Sequence, residues 1–155
     1  MKYLLLFIFC CCFQLKSFAQ IDEVKMIQTL YGMEKKAIVE EFMNLSEPDA
    51  SVFWDIYASY EAERRENGRR VLETLNEYTQ NYNVMDDAKA DKFIQDVYAI
   101  DNVSDKISKK YYKKVKKALG AQTAAKFTQI ESYIKTAVRL EVMENLPFID
   151  ELTED

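Results

Sequence analysis

Histidine is absent from the 155 residues, and cysteine occurs only as Cys10, Cys11 and Cys12. Without histidine there is no histidine-based triad, no histidine metal cluster and no side chain that ordinarily titrates near neutrality. Glycine (3) and proline (2) are nearly as scarce, so little punctuates the chain into strands or long loops. No phosphate loop, nucleophile elbow or dinucleotide fingerprint is present. Carboxylates do cluster, as in Glu61, Glu63 and Glu66 or Asp86 and Asp87. A glycoside hydrolase needs two of them aimed at one cleft, and a ferritin-type di-iron site needs glutamates with a histidine three residues on. These absences predict a protein that is not an enzyme and carries no cofactor and no metal. Cation binding by carboxylates alone is an alternative that no loop spacing supports.

What is present begins with a leader. Lys2 precedes an apolar run from Tyr3 to Phe13, and Ser17-Phe18-Ala19 places small residues where signal peptidase cuts. The run is too short for a span, which needs about 20 apolar residues. Residues 1–19 therefore read as a cleaved secretory signal, with Gln20 as the mature N-terminus. A lipoprotein reading is weaker, because the cysteines lie too early for a lipobox. All three cysteines leave with the leader, so an exported chain is held by its core without disulfides. Export across the inner membrane to the periplasm is the expected address, with no stable membrane insertion after cleavage.

The whole sequence carries a net charge of −5, and losing Lys2 and Lys16 makes the remainder more acidic. That balance argues against nucleic acid as a partner. One stretch runs the other way: from Lys106 to Ile130 every charged residue is a lysine.

Apolar periodicity predicts an all-α fold of four helices in long hairpins, filling residues 20–147, with 148–155 as a loose acidic tail. The longest stripe is Phe53, Tyr57, Tyr60, Val71, Leu75, Tyr78 and Tyr82, at helical spacing. A first helix over about 22–44 shows Val24, Ile27, Tyr31, Ile38, Phe42 and Leu45 near one face. The second starts at Leu45-Ser46-Glu47-Pro48-Asp49, where Ser46 reads as the N-cap and Asp49 completes a capping box. Asp86 caps a third helix ending near Leu119, with Gly120 as its C-cap. A fourth runs from about Gln122 to Glu144, with Phe127, Ile130, Ile134, Ala137 and Val138 on one side, until Pro147 stops it. Short turns force the last three to run up, down and up.

Polar residues interrupt these stripes at Arg64, Asn67, Ser104 and Glu141. In the up-down-up layout Arg64 and Glu141 fall at one level, which predicts a partly buried contact with Asn67 and Ser104 nearby. A buried ion pair of this kind more often sets alignment than performs chemistry. On the third helix Lys106, Lys109, Lys110, Lys113, Lys116 and Lys117 occupy the arc opposite Ile107, Tyr111 and Val115, with Tyr112 on the boundary. This reads either as a solvated face that suits the helix dipole or as a contact surface for anionic or amphipathic partners.

An exported chain of this size, free of cysteine once mature, with helices that restart at leucine-hydroxyl-x-x-polar caps, resembles the LTXXQ or Spy/CpxP superfamily of periplasmic proteins. Leu45-Ser46-Glu47-Pro48-Asp49 is a degenerate copy of the motif. Leu119-Gly120-Ala121-Gln122-Thr123 and Val84-Met85-Asp86-Asp87-Ala88 depart further. YEAERRENGRRVLETLNEY and YYKKVKKALGAQTAAKFTQIESYIKTAVRLEVMENLPFI resemble stretches of less characterised relatives. The resemblance implies a thin, curved helical layer that dimerises into a cradle, and binding of unfolded or partner proteins without ATP in envelope stress. Carried over by residue, it touches Leu45, Ser46 and Asp49, and more loosely Leu119 and Gln122. The expected function is chaperone-like or adaptor binding through the basic and aromatic surface of the third helix, in a homodimer. The alternatives are a module for one envelope partner without chaperone activity, and carboxylate-based metal sequestration.

Overall fold

The computed structural model describes residues 33–149, and within them the protein is all-helical, with no strand. Three helices follow in order: α1 (Met33–Met43), α2 (Asp49–Asn81) and α3 (Asp87–Asn145), with a 3-10 turn at Tyr82–Val84 between the last two. The expected leader, the first-helix positions Val24, Ile27 and Tyr31, and residues 150–155 of the acidic tail lie outside the described residues.

The expected third and fourth helices are the two arms of α3, which is broken at Gly120 (φ 88, ψ 167), where the sequence places their boundary. That backbone conformation is open essentially to glycine alone, so the residue read as a C-cap is the corner itself. Residues 87–119 form a first arm and 121–145 a second. Arg139 Nη1 donates to Asp101 Oδ2 at 3.2 Å, and the two residues are equidistant from Gly120, so the arms fold back on each other. The start of α3 follows expectation: Asp86 Oδ1 accepts from the Lys89 amide at 2.9 Å.

The start of α2 differs. Its first helical residue is Asp49, and no side chain caps it from the Pro48 position. Ser46 is exposed and contributes only its backbone oxygen, to the Ala50 amide at 3.0 Å. Pro48 brings no N–H of its own to satisfy, and among the first-turn amides that of Ser51 is reached by the Glu47 carboxylate at 3.3 Å. Leu45 packs half-buried against the core, as the hydrophobic residue before such a start should.

Aromatic contacts set the registers. Along α2 and the first arm, Tyr60 meets Tyr111 at 5.3 Å between ring centres and Tyr78 meets Phe93 at 4.6 Å, which makes the pair antiparallel. The second arm runs parallel to α2: Phe53 stacks edge-on to Phe127 at 5.9 Å, and the Tyr78 hydroxyl donates to the Pro147 carbonyl at 2.6 Å. The core is continuous through Phe53, Tyr57, Tyr60, Ile107, Tyr111, Val115, Phe127, Ile130 and Ile134.

Helix α1 lies over this core by a different face from the expected one. Val39 and Met43 are buried at 0% and 2% exposure, whereas Ile38 (48%) and Phe42 (40%) face outward. Burying Val39 and Met43 contributes roughly 1.5–3 kcal/mol each. As for most helices in proteins, the docked amphipathic face supplies more of the stability of α1 than its propensity does. Its C-terminal end is held by Lys126, whose Nζ donates to the Met43 carbonyl at 2.8 Å.

Candidate functional site

Two features stand apart from ordinary packing, one buried and one exposed. The buried one is centred on Lys35, a residue with 3% exposure on the inner face of α1. It occupies the first position of the stripe that continues through Val39 and Met43. Its Nζ donates to Glu61 Oε1 at 2.6 Å and to Glu131 Oε2 at 2.9 Å. It also lies 5.4 Å from the ring centres of both Tyr57 and Tyr60, within cation–π range. Glu131 is fixed from the other side, since the Tyr60 hydroxyl donates to Oε2 at 2.7 Å and the Tyr57 hydroxyl to Oε1 at 3.2 Å. Arg64 Nε stands 3.5 Å from Glu61 Oε1. The result is a carboxylate-and-tyrosine cage around one ammonium.

Burial shapes the titration of the cage. It lowers the Lys35 pKa by penalising the charged amine, against the upward pull of Glu131 and Glu61. It raises both Tyr57 and Tyr60, and the Glu131 charge beside them adds to that rise.

The expected buried contact between Arg64 and Glu141 does not form. Arg64 is half-buried beside Glu61, but Glu141 is exposed and holds Asn145 on its own helix, its carbonyl accepting from Nδ2 at 2.7 Å. The reason is register. Levels counted from the helix starts put Glu141 opposite Arg64, while the Phe53–Phe127 contact and the Tyr57–Glu131 bond set the true offset. The buried acid of the second arm is therefore Glu131. Asn67 is buried as expected and ties α2 to the first arm by donating from Nδ2 to the Ile100 carbonyl at 3.3 Å. Ser104 is half-buried on the first arm.

The exposed feature is the lysine face of the first arm. Lys106, Lys109, Lys110, Lys113, Lys116 and Lys117 are all exposed. Lys110 is engaged by Glu63, which also accepts from the Tyr111 hydroxyl at 3.0 Å. The hydrogen bond from Lys110 holds the Glu63 carboxyl below its ordinary range, and burial beside Glu63 pushes Tyr111 up to about 12. Lys106, Lys109, Lys113, Lys116 and Lys117 pair with no described acid. Tyr112 is half-buried against the core, with Lys116 Nζ 6.0 Å from its ring centre. Lys114, outside the expected set, lies 4.5 Å over the Tyr111 ring.

Among the described residues no group of histidine, cysteine, aspartate or glutamate side chains is arranged to hold a metal ion, and no helix is long and apolar enough to cross a membrane. One cleft between α2 and the first arm, bordered by Thr74, Tyr78, Met85 and Phe93, offers about 80 Å³. Small-molecule pockets run to roughly 300–1,000 Å³. No family model, curated protein or solved structure matches the chain.

Proposed function

We propose that this chain is an exported, nucleotide-independent binding protein that holds unfolded or partner proteins on the lysine face of α3, as the resemblance to the Spy/CpxP group implies. The observation that carries this reading is the set Lys106, Lys109, Lys113, Lys116 and Lys117, exposed and unmatched by any described acid. Lysines 106, 109, 113 and 117 follow helical spacing along one face for about 16 Å. Acidic side chains elsewhere are numerous, so leaving a basic strip uncompensated favours an anionic partner. Long lysine stems beside Tyr112 also offer apolar contact, which suits unfolded chains.

A homodimer that completes a curved four-helix layer belongs to the same proposal. Its support is the apolar face of the second arm, where Tyr133, Leu140 and Met143 recur at helical spacing with 71%, 57% and 52% exposure.

The test adds the protein to a chemically unfolded, aggregating client and follows light scattering at low and high salt. Wild type is compared with a variant carrying Lys106, Lys109, Lys113 and Lys117 changed to glutamine. Suppression that weakens with salt and with loss of the lysines is the expected result. No suppression at several-fold excess refutes client holding on this face.

A further inference from the structure

The cage around Lys35 is assembled almost entirely without α1. Tyr57, Tyr60, Glu61 and Arg64 come from α2 and Glu131 from the second arm; α1 contributes only the ammonium. Both oxygens of Glu131 are already aimed by tyrosyl hydroxyls, so the site keeps its acceptors in place whichever amine fills it. Its shape suits a compact ammonium between two rings, where a planar guanidinium would need its donors spread in a fork. Beyond the cage, the same face buries two apolar residues one and two helical turns along, Val39 and Met43.

Helix α1 is thus seated as a ligand is. It bears the pattern lysine, then apolar residues at the fourth and eighth positions following, and a short connection through 44–48 joins it to α2. Outwardly it shows Ile38 and Phe42, both still largely exposed, with Lys126 Nζ 5.6 Å from the Phe42 ring centre. We propose that this face of α2 and the second arm is a recognition site for a lysine-bearing amphipathic helix of a partner protein, and that α1 occupies it as a built-in competitor. The charge argument selects the occupant: when α1 leaves, two buried carboxylates face one arginine, and a helix without a cation would leave that imbalance uncorrected. The proposal is independent of client holding on the lysine face, and its test uses different residues.

Trp54 provides the reporter. It is the single tryptophan, and Lys36 Nζ of α1 lies 5.0 Å from its ring centre, so its emission changes when α1 moves. The experiment uses the full chain with Lys35→Glu, which sets a third carboxylate against the cage and releases α1. A labelled peptide of sequence MEKKAIVEEFM is then titrated in by fluorescence anisotropy. It is expected to bind at least tenfold more tightly to Lys35→Glu than to wild type, where the tethered helix competes. The same peptide with Lys35→Gln is expected to lose at least tenfold, and Glu131→Gln in the protein to abolish the gain. Should Lys35→Glu fail to fold, wild type titrated with excess peptide serves instead: amide exchange over 33–43 must rise while α2 stays protected. Equal binding of the glutamine peptide, or no change in exchange, overturns the proposal. So does n-butylammonium displacing the peptide at equal concentration, since the site would then read a free amine and not a helix.

Discussion

Replacing Lys35 by methionine removes the ammonium between Glu61 and Glu131 while keeping an unbranched, slightly shorter side chain. Breaking a buried ion pair from one side costs roughly 3–5 kcal/mol, because the abandoned charge stays in a poor solvent. Two details pull the expected value toward the lower end. Arg64 stands beside Glu61 and continues to balance it, and both tyrosyl hydroxyls continue to donate to Glu131. The loss is also capped. Once it exceeds what docking α1 is worth, the helix lets go, water reaches the carboxylates and the cost stops growing.

The expected loss is therefore about 3 kcal/mol, which at a typical urea slope of about 2 kcal/mol/M moves the midpoint by roughly 1.5 M. Urea unfolding followed by circular dichroism measures it, with Trp54 emission recorded in the same samples to separate release of α1 from global unfolding. Glu131→Gln alone and combined with Lys35→Met completes a double-mutant cycle, with a coupling above about 1 kcal/mol expected for groups in direct contact. A Lys35→Met protein within about 0.5 kcal/mol of wild type, or a strictly additive double variant, would refute the buried network.

Gly120→Ala meets no neighbour at its Cβ, so its cost of roughly 1–3 kcal/mol comes from the positive φ alone; denaturation shows the loss, and light scattering shows dimers in which a straightened α3 exchanges arms. At high pH, Tyr57, Tyr60 and Tyr111 keep their protons in the fold after they would ionise unfolded, so the native state binds more protons and stability falls as pH rises above about 10. Lys35, lowered by burial, acts oppositely between its folded value and 10.5, but one amine is outweighed by three phenols; tyrosinate absorbance that rises in a single step near 10 with helicity retained would contradict this. Leu140→Glu is expected to shift a dimer toward monomer in light scattering and to leave the melting of the monomer within about 0.5 kcal/mol of wild type, since the residue is exposed.

The parts of the fold that were legible in the sequence are those where burial and hydropathy agree. Phe53, Tyr57, Tyr60 and Tyr78 on α2, and Phe127, Ile130 and Ile134 on the second arm, face the core as their spacing predicts. The lysine face was legible for the converse reason, because charge and exposure coincide there. The cage was not, since hydropathy scores each of its charges as surface. Yet a signal existed: Glu131 sits between Phe127 and Ile134 on the stripe, Glu61 follows Tyr57 by one turn, and Lys35 precedes Val39 by one turn. Three charges in stripe positions, of mixed sign, can be buried together only by meeting. Arg64 and Glu141 stand at similar distances from their helix starts, but equal distance from a terminus is not equal height. The aromatic contacts, which no single-helix pattern contains, decide the height instead.

The same cage explains why α1 turns the face it does. Two apolar pairs lie one residue apart on this helix: Val39 and Met43, in line with Lys35, or Ile38 and Phe42. The second buries more apolar surface and would win on hydrophobicity alone, yet Ile38 and Phe42 are the exposed ones. The difference is supplied by Lys35, whose two carboxylate bonds require the first face. Changing Lys35, Glu61 and Glu131 together to glutamine removes every charge of that pull and leaves hydrogen-bonding amides in their places. The helix is then expected to roll by about 100°, the angle of one residue, and bury Ile38 and Phe42. A chain starting at Gln20 has no cysteine of its own, so single reporters at Ile38→Cys and Val39→Cys can be labelled cleanly. In the native background the thiol at 38 should react fast and the thiol at 39 slowly, and in the triple-glutamine background the order should invert. An unchanged order would mean that packing by Val39 and Met43 chooses the face, and that the ion cage follows the alignment of α1 without setting it.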